Sequence, residues 1–104
     1  MPILTVFRSR LKPGADAPYG ALGTEMTELA CTMPGFIEEK TFQAQDGERL
    51  TFVMFADQAT HEAWRDHPAH RIAQQQGIDS WFSEYHIYSS EVGYSASFVA
   101  DALS

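Results

Sequence analysis

At 104 residues, 44% hydrophobic and 20% charged, the chain has the length and composition of one globular domain, enough for one core and not two. Fourteen acidic residues against seven scattered basic ones give a net charge of -7, which repels polyanions and excludes a nucleic-acid partner. No apolar run approaches the ~18 residues that span a bilayer, the Met1-Pro2-Ile3-Leu4-Thr5 start has no basic segment ahead of an apolar one, and the lone Cys31 has no intramolecular partner, so a cytoplasmic protein without a membrane segment is expected.

Residues Ile3 to Arg10 are rich in β-branched and aromatic types and stop at Lys12-Pro13-Gly14, which predicts a first strand. Asp16 is placed to cap a helix with Pro18 in its first turn, and Leu22, Met26, Leu29 and Met33 fall on one face of that helix. Cys31 is expected to fill core beside that stripe. Pro34-Gly35 ends the helix, and strands over Phe36 to Gln45 and Arg49 to Asp57 follow, joined through Asp46-Gly47 in a tight hairpin. Asp57 or Thr60 opens a short helix through Trp64 that stops near His67, because a residue before proline is pushed out of the helical region. Pro68 starts a new helical stretch to about Gln76, with Gly77 as its C-terminal cap, and Trp81 to Ser90 alternates as a fourth strand.

The order β-α-β-β-α-β is the ferredoxin-like split βαβ motif, an α+β fold in which a four-stranded antiparallel sheet carries two helices on one face. Alternation puts Leu50, Phe52 and Met54 on one face and Val53 and Phe55 on the other, with Phe36 and Phe42 sharing a face opposite Ile37. Two apolar faces need two covers. The helices supply one, and a second copy of the sheet is expected to supply the other, as a homodimer. A domain of this size buries only somewhat under ~70% of its unfolded surface and gains from that cover. The domain is expected over residues 1–91. A tail over 92–104, whose Phe98 and Val99 are too apolar to dismiss, is expected to pack across the dimer partner or to close a pocket mouth, and truncation at Gly93 should weaken the dimer.

The element order, the Lys12-Pro13-Gly14 turn, the Met33-Pro34-Gly35-Phe36 helix exit, Trp64, and His67-Pro68-Ala69-His70 leading into Ala73-Gln74 resemble the antibiotic biosynthesis monooxygenase-like proteins, dimeric α+β barrels. The resemblance covers about Ile3 to Tyr88. It implies cofactor-free oxygenases of polyphenols and quinols, haem-degrading enzymes, or enzymes of small signalling molecules. The haem-degrading branch places an iron-ligating histidine about ten residues after the helix tryptophan, where this chain has Gln74, and an asparagine in the first strand, which this chain lacks. Glutamine is a poor iron ligand beside imidazole.

His70 and His67, three residues apart, are the candidate acid/base groups, with Trp64 beside them and Arg8 as the cation that steadies an anionic substrate. Phe7, Phe52, Phe55, Trp81 and Tyr85 are the expected walls of an aromatic pocket. Each has a structural alternative: His67 capping a helix, Trp64 filling core, Arg8 pairing with Glu38, Glu39 or Glu84. His61, His86, Glu62 and Asp66 are the remaining metal-ligand types, and no spacing links them to His67 and His70 in a metal signature, so neither a metal nor a cofactor is expected. The expectation is a cofactor-independent monooxygenase acting on a small aromatic, polyphenol or quinol-type molecule. The alternatives are a non-catalytic small-molecule binding or dimeric assembly protein, or an isomerase or haem-degrading member of the same superfamily.

Overall fold

The β-branched and aromatic residues of β1 (Ile3–Leu11) suit a strand paired on both edges, and β1 is central in the computed structural model, which describes residues 1–100. It pairs antiparallel with β3 (Arg49–Phe55) and with β4 (Phe82–Glu91), while β2 (Phe36–Gln43) lies outside β3, giving the order β2-β3-β1-β4. One crossover is α1 (Asp16–Thr32); the other is α2 (Gln58–Arg65), α3 (Pro68–Gln76) and a π-helical turn over Gly77–Trp81. This is the ferredoxin-like α+β architecture that the order of elements predicts. No helix among the described residues is long and apolar enough to cross a membrane.

Local chemistry sets the ends of the elements. Asp57 closes a capping box on α2: its carboxylate accepts from the Thr60 amide at 2.9 Å, and the Asp57 amide donates to the Thr60 hydroxyl at 3.3 Å. His67 caps α3 by accepting the Ala69 amide on Nδ1 at 3.1 Å, and Pro68 takes the first helical position, where a missing N–H costs nothing. Asp16 does not cap α1. Ala15 holds that position without a side-chain bond, and Asp16 sits inside the first turn, where its charge faces the positive end of the helix. The β2–β3 connection is longer than a tight hairpin, running from Ala44 to Glu48 with Gly47 at φ 92°.

Gly77 does not end its helix in the left-handed region. It has φ -61°, and the chain continues into the π-helical turn that carries Trp81, so β4 begins at Phe82. A Cβ at Gly77 would collide with the Phe82 ring, which is why glycine is needed there. Cys31 is exposed rather than packed, because the inner face of α1 runs through Met26, Leu29, Ala30 and Met33, and the residue after Ala30 is turned about 100° away.

Two register shifts rearrange the faces. Phe36 pairs with Phe55 but Glu38 with Met54, leaving Ile37 as an extra residue, so Phe36 packs inward on Phe55 while Phe42 stacks outward on Phe52. Arg10 pairs with Glu84 but Leu11 with Phe82, leaving Ser83 extra, and the Ser83 hydroxyl donates to the Arg10 carbonyl at 3.1 Å. Phe82 thereby joins Tyr85 on the inner face, 5.4 Å and 5.6 Å respectively from the Phe7 ring.

The helices cover the face carrying Ile3, Thr5, Phe7, Ser9, Val53 and Phe55. Its core is Ala30, Phe55 and Trp64, surrounded by Met26, Leu29, Met33, Phe36 and Val53. The other face presents Leu4, Val6, Leu50, Phe52, Met54 and Tyr88 without a cover from the chain itself. Beyond β4, the Val92 amide donates to the Pro2 carbonyl at 2.9 Å, and Tyr94, Phe98 and Val99 are exposed. The part of the expected tail over 101–104 lies outside the described residues.

The capping box makes α2 sensitive at one residue. Asp57→Ala should lower stability by about 1 kcal/mol, read as a shifted midpoint in urea unfolding, whereas Asp16→Ala should shift it by less than half as much.

Candidate active site

A four-stranded face covered by a core of three buried side chains at one end is not filled at its centre. A cavity of about 810 Å³ lies there between sheet and helices. Thr5, Phe7, Thr51, Val53, Tyr85 and Ile87 form its sheet side, and Tyr19, Met26, Trp64 and His70 stand on its helical side. The volume and the mostly apolar lining with a few polar groups are those of a small-molecule site.

Trp64 and His70 are brought together by the break at Pro68. The helix stops at Arg65 and a new one starts at Pro68, so the first turn of α3 meets the end of α2. The two rings stack with centroids 4.2 Å apart and planes 14° from parallel, and His70 Nδ1 lies 3.2 Å from the Trp64 carbonyl. A carbonyl only accepts, so Nδ1 donates, and in the neutral ring Nε2 carries the lone pair. Burial lowers the His70 pKa, partly offset by hydrogen bonds to the Trp64 and Arg65 backbone. The result is a neutral imidazole on the cavity wall with a free basic nitrogen.

A second imidazole lies further along the wall. His61 is 7% exposed and its Nε2 sits 2.8 Å from the Thr5 hydroxyl. Burial lowers its pKa as well, reinforced by Arg65 and opposed by Glu62 and Asp66. At the opposite end of the cavity, burial raises the Tyr19 phenol pKa, and the Arg49 guanidinium lies 5.8 Å from the Tyr19 ring. The nearest carboxylate to Arg49 is Asp16 at 3.8 Å, a loose contact with a largely exposed group. Among the described residues no group of three or more His, Cys, Asp or Glu could hold a metal ion.

Of the residues singled out in the sequence, the structure brings together His70, Trp64, Phe7 and Tyr85 around this cavity. It does not bring the others. Arg8 points from the opposite sheet face and is tied to Glu48 by contacts of 2.9 and 3.2 Å, while Arg10 pairs with Asp46 at 2.8 Å and Glu84 at 3.1 Å. Phe52 lies on that outer face, because it is one residue out of step with Thr51 and Val53. Phe55 is fully buried core beneath Trp64, His67 is held as a helix cap, and Trp81 packs edge-on against Tyr19 outside the lining. Tyr19, Arg49, Thr5 and Ser89 also line the cavity, beyond the residues expected there. Tyr19 was open to detection: it extends the Leu22, Met26, Leu29 stripe one step upstream by three residues.

Comparison with protein families matches residues 2–76 to antibiotic biosynthesis monooxygenase. The chain belongs to this family. No curated protein matches it. Among solved structures, Rv0793 of Mycobacterium tuberculosis superposes with a TM-score of 0.83 at 17% identity, covering 93% of this chain and 100% of that one. SnoaB of Streptomyces nogalater, described as a cofactor-independent oxygenase, gives 0.78 at 11% identity over 90% of this chain and 95% of its own. A conserved protein of Methanosarcina mazei gives 0.78 at 13% over 86% and 91%. At these identities the likeness is one of fold, and the chemistry of this family member has to come from its own cavity.

The depressed histidines give a signed pH dependence. The unfolded chain takes up protons near the ordinary histidine pKa of about 6.5 that the folded chain refuses, so stability should fall as pH drops through that value. Urea unfolding between about pH 7.5 and pH 5.5 should show this loss, and His70→Phe, which keeps a ring against Trp64, should make it shallower. An unchanged slope would remove His70 as a source.

Proposed function

We propose that this family member is a cofactor-independent monooxygenase that takes a small phenol or quinol-type aromatic into the cavity. The observation that carries the reading is the Trp64–His70 pair: a flat ring wall with a neutral imidazole whose free Nε2 is set to receive a phenolic proton. Arg49, which lines the cavity and donates no side-chain hydrogen bond among the described residues, supplies the positive charge that the sequence reading gave to Arg8. Membership of the family and the fold shared with SnoaB, a cofactor-independent oxygenase, support the same class of reaction.

The chemistry balances with dioxygen as the only oxidant. His70 Nε2 takes the phenol proton, and the electron-rich anion passes one electron to dioxygen. The resulting ring radical and superoxide combine in a new C–O bond at a ring carbon that bears hydrogen. The outer peroxide oxygen takes that carbon's proton as the O–O bond breaks. One oxygen stays as the quinone carbonyl, and the other leaves as hydroxide, which the proton held on His70 converts to water. An apolar cavity favours the step by keeping bulk water from the radical pair.

Oxygen-electrode assays with a panel of anthrones, naphthols and quinols should show uptake by the wild-type chain, and His70→Gln should reduce the rate on the order of a hundredfold while leaving ligand affinity within a fewfold. Binding without uptake across the panel would favour a non-catalytic binding protein instead.

The uncovered sheet face supports self-association. Leu4, Val6, Leu50, Phe52, Met54 and Tyr88 form an apolar patch on a monomer-sized domain, and a second copy of the same face is its natural complement, giving the proposed homodimer. Tyr94, Phe98 and Val99 of the tail are assigned to the same partner. Sedimentation equilibrium should give a dimer for the wild-type chain and a monomer for Phe52→Asp, because a buried unpaired carboxylate costs several kcal/mol. A wild-type monomer at all concentrations would end this assignment.

A further inference from the structure

The helix beside the cavity carries two residues that its own stability disfavours. Gly20 and Gly23 stand inside α1, and both border the cavity. After proline, glycine is the least favourable residue inside a helix, because it gives up the most backbone freedom on folding. Three structural demands can keep one there, and none applies. Among the described residues positive φ occurs at Gly14, Gly35 and Gly47, not at these two. A Cβ at Gly35 would run into Thr60 and one at Gly77 into Phe82, whereas at Gly20 or Gly23 it would meet nothing within 4 Å. Neither glycine ends the helix, which continues to Thr32.

What sets the two apart is what they face. Ala30 follows Gly23 about two turns along α1, nearly in the same row of the helix, and it is fully buried in the core with Phe55 and Trp64. Where that row meets the core it carries a methyl group, and where it meets the cavity it carries only hydrogen. Leu22 and Met26 border the cavity on one side of the row and Thr27 on the other, so the gap is confined to the glycines. Gly23 is half-buried and Gly20 exposed, which places Gly23 within the cavity and Gly20 nearer its mouth.

We propose that Gly23, with Gly20 nearer the mouth, is a specificity-determining residue: the side chain it lacks sets the room on the α1 side of the cavity and so fixes the size of ligand that this chain admits. The proposal rests on the reading of the cavity as a ligand site and adds where its size limit lies. A ligand whose hydroxyl meets His70 extends from there toward the end held by Tyr19, the residue before Gly20. A side chain at Gly23 would share that space with the far end of a long ligand and leave a short one untouched. Overlap of this kind is not absorbed by a close-packed wall, which is why one extra carbon can decide what a pocket accepts. The helix is thereby kept less stable than its sequence could make it, and the deficit is located at the site rather than spread over the fold.

Two measurements test this. Thermal unfolding of the ligand-free chain reads the helix: Gly23→Ala should raise the midpoint by about 4–8 °C, since a methyl is gained and nothing is displaced. A midpoint that stays level or falls would mean that the fold itself calls for glycine, and would overturn the proposal. Calorimetry with 2-naphthol and 2-anthrol, which differ by one ring, reads the size limit. The wild-type chain should bind both, and Gly23→Leu should weaken 2-anthrol at least tenfold and 2-naphthol less than about twofold. Ala21→Leu, on the exposed side of α1 and outside the cavity lining, should leave both affinities unchanged. Equal weakening of both probes by Gly23→Leu, weakening of neither, or the same selective loss with Ala21→Leu overturns the size limit while leaving the cavity reading in place. Binding of neither probe by the wild-type chain overturns the cavity reading and the size limit with it.

Discussion

The contact between the first turn of α3 and the end of α2 is the constraint on which the rest of the cavity depends. Pro68 cannot continue a helix from His67, so the chain leaves the helical region for one residue and re-enters at a new angle. That restart places the His70 ring on the Trp64 ring and its Nδ1 on the Trp64 carbonyl, which also accepts the His67 amide at 3.2 Å. One side chain thus adds a second donor to that carbonyl, packs on the largest aromatic of the core, and is fixed in a single tautomer. The tautomer is a consequence of backbone geometry, and the free Nε2 follows from it.

A second constraint is the division of labour between the two sheet faces. Inside, the core is concentrated where Phe55, Trp64 and Ala30 meet, and the remaining area is left as open volume rather than packed. Such a void forfeits dispersion contacts, so it persists only where the surrounding elements are held independently. Here the capping box on α2, the His67 cap on α3 and the packing of Phe82 against Gly77 do the holding. Outside, the charged side chains sit toward the ends of the strands, with Arg8 on Glu48 and Arg10 bridging Asp46 and Glu84, and the apolar residues form the middle.

Element types and their order were legible in the sequence because they rest on local signals: the turn at Lys12-Pro13-Gly14, the period of Leu22, Met26 and Leu29, and the Asp57 and Pro68 helix starts. Half of the aromatic set was also legible, since Phe7, Tyr85 and Trp64 line the cavity as their alternation and spacing imply. What escaped was non-local. Nothing near Phe36 or Phe82 announces a register shift, which is decided by the partner strand, and so Phe36 and Phe42, expected on one face, fall on opposite faces. The polar lining escaped for a related reason: Thr5, Ser89 and His61 come from three distant stretches, and no spacing in the chain relates them. Arg8 drew attention as a charge within a strand, but its partner Glu48 stands in a loop whose position depends on the β2–β3 connection.

The two extra residues, Ile37 and Ser83, have a further meaning for how this scaffold changes over time. In a strand every second residue faces the same way, so each face is written in alternate letters, and a single inserted residue changes which letters are read. Upstream of Ile37, Phe36 is read by the core; downstream, Glu39 and Thr41 are read by the cavity and Phe42 by the outer face. A one-residue deletion at either bulge would exchange the contents of cavity and outer face along the affected stretch without altering one side chain. Drift in the length of β2 or β4 is therefore far more disruptive here than drift in composition, and the pocket of such a fold diverges by substitution within a fixed frame.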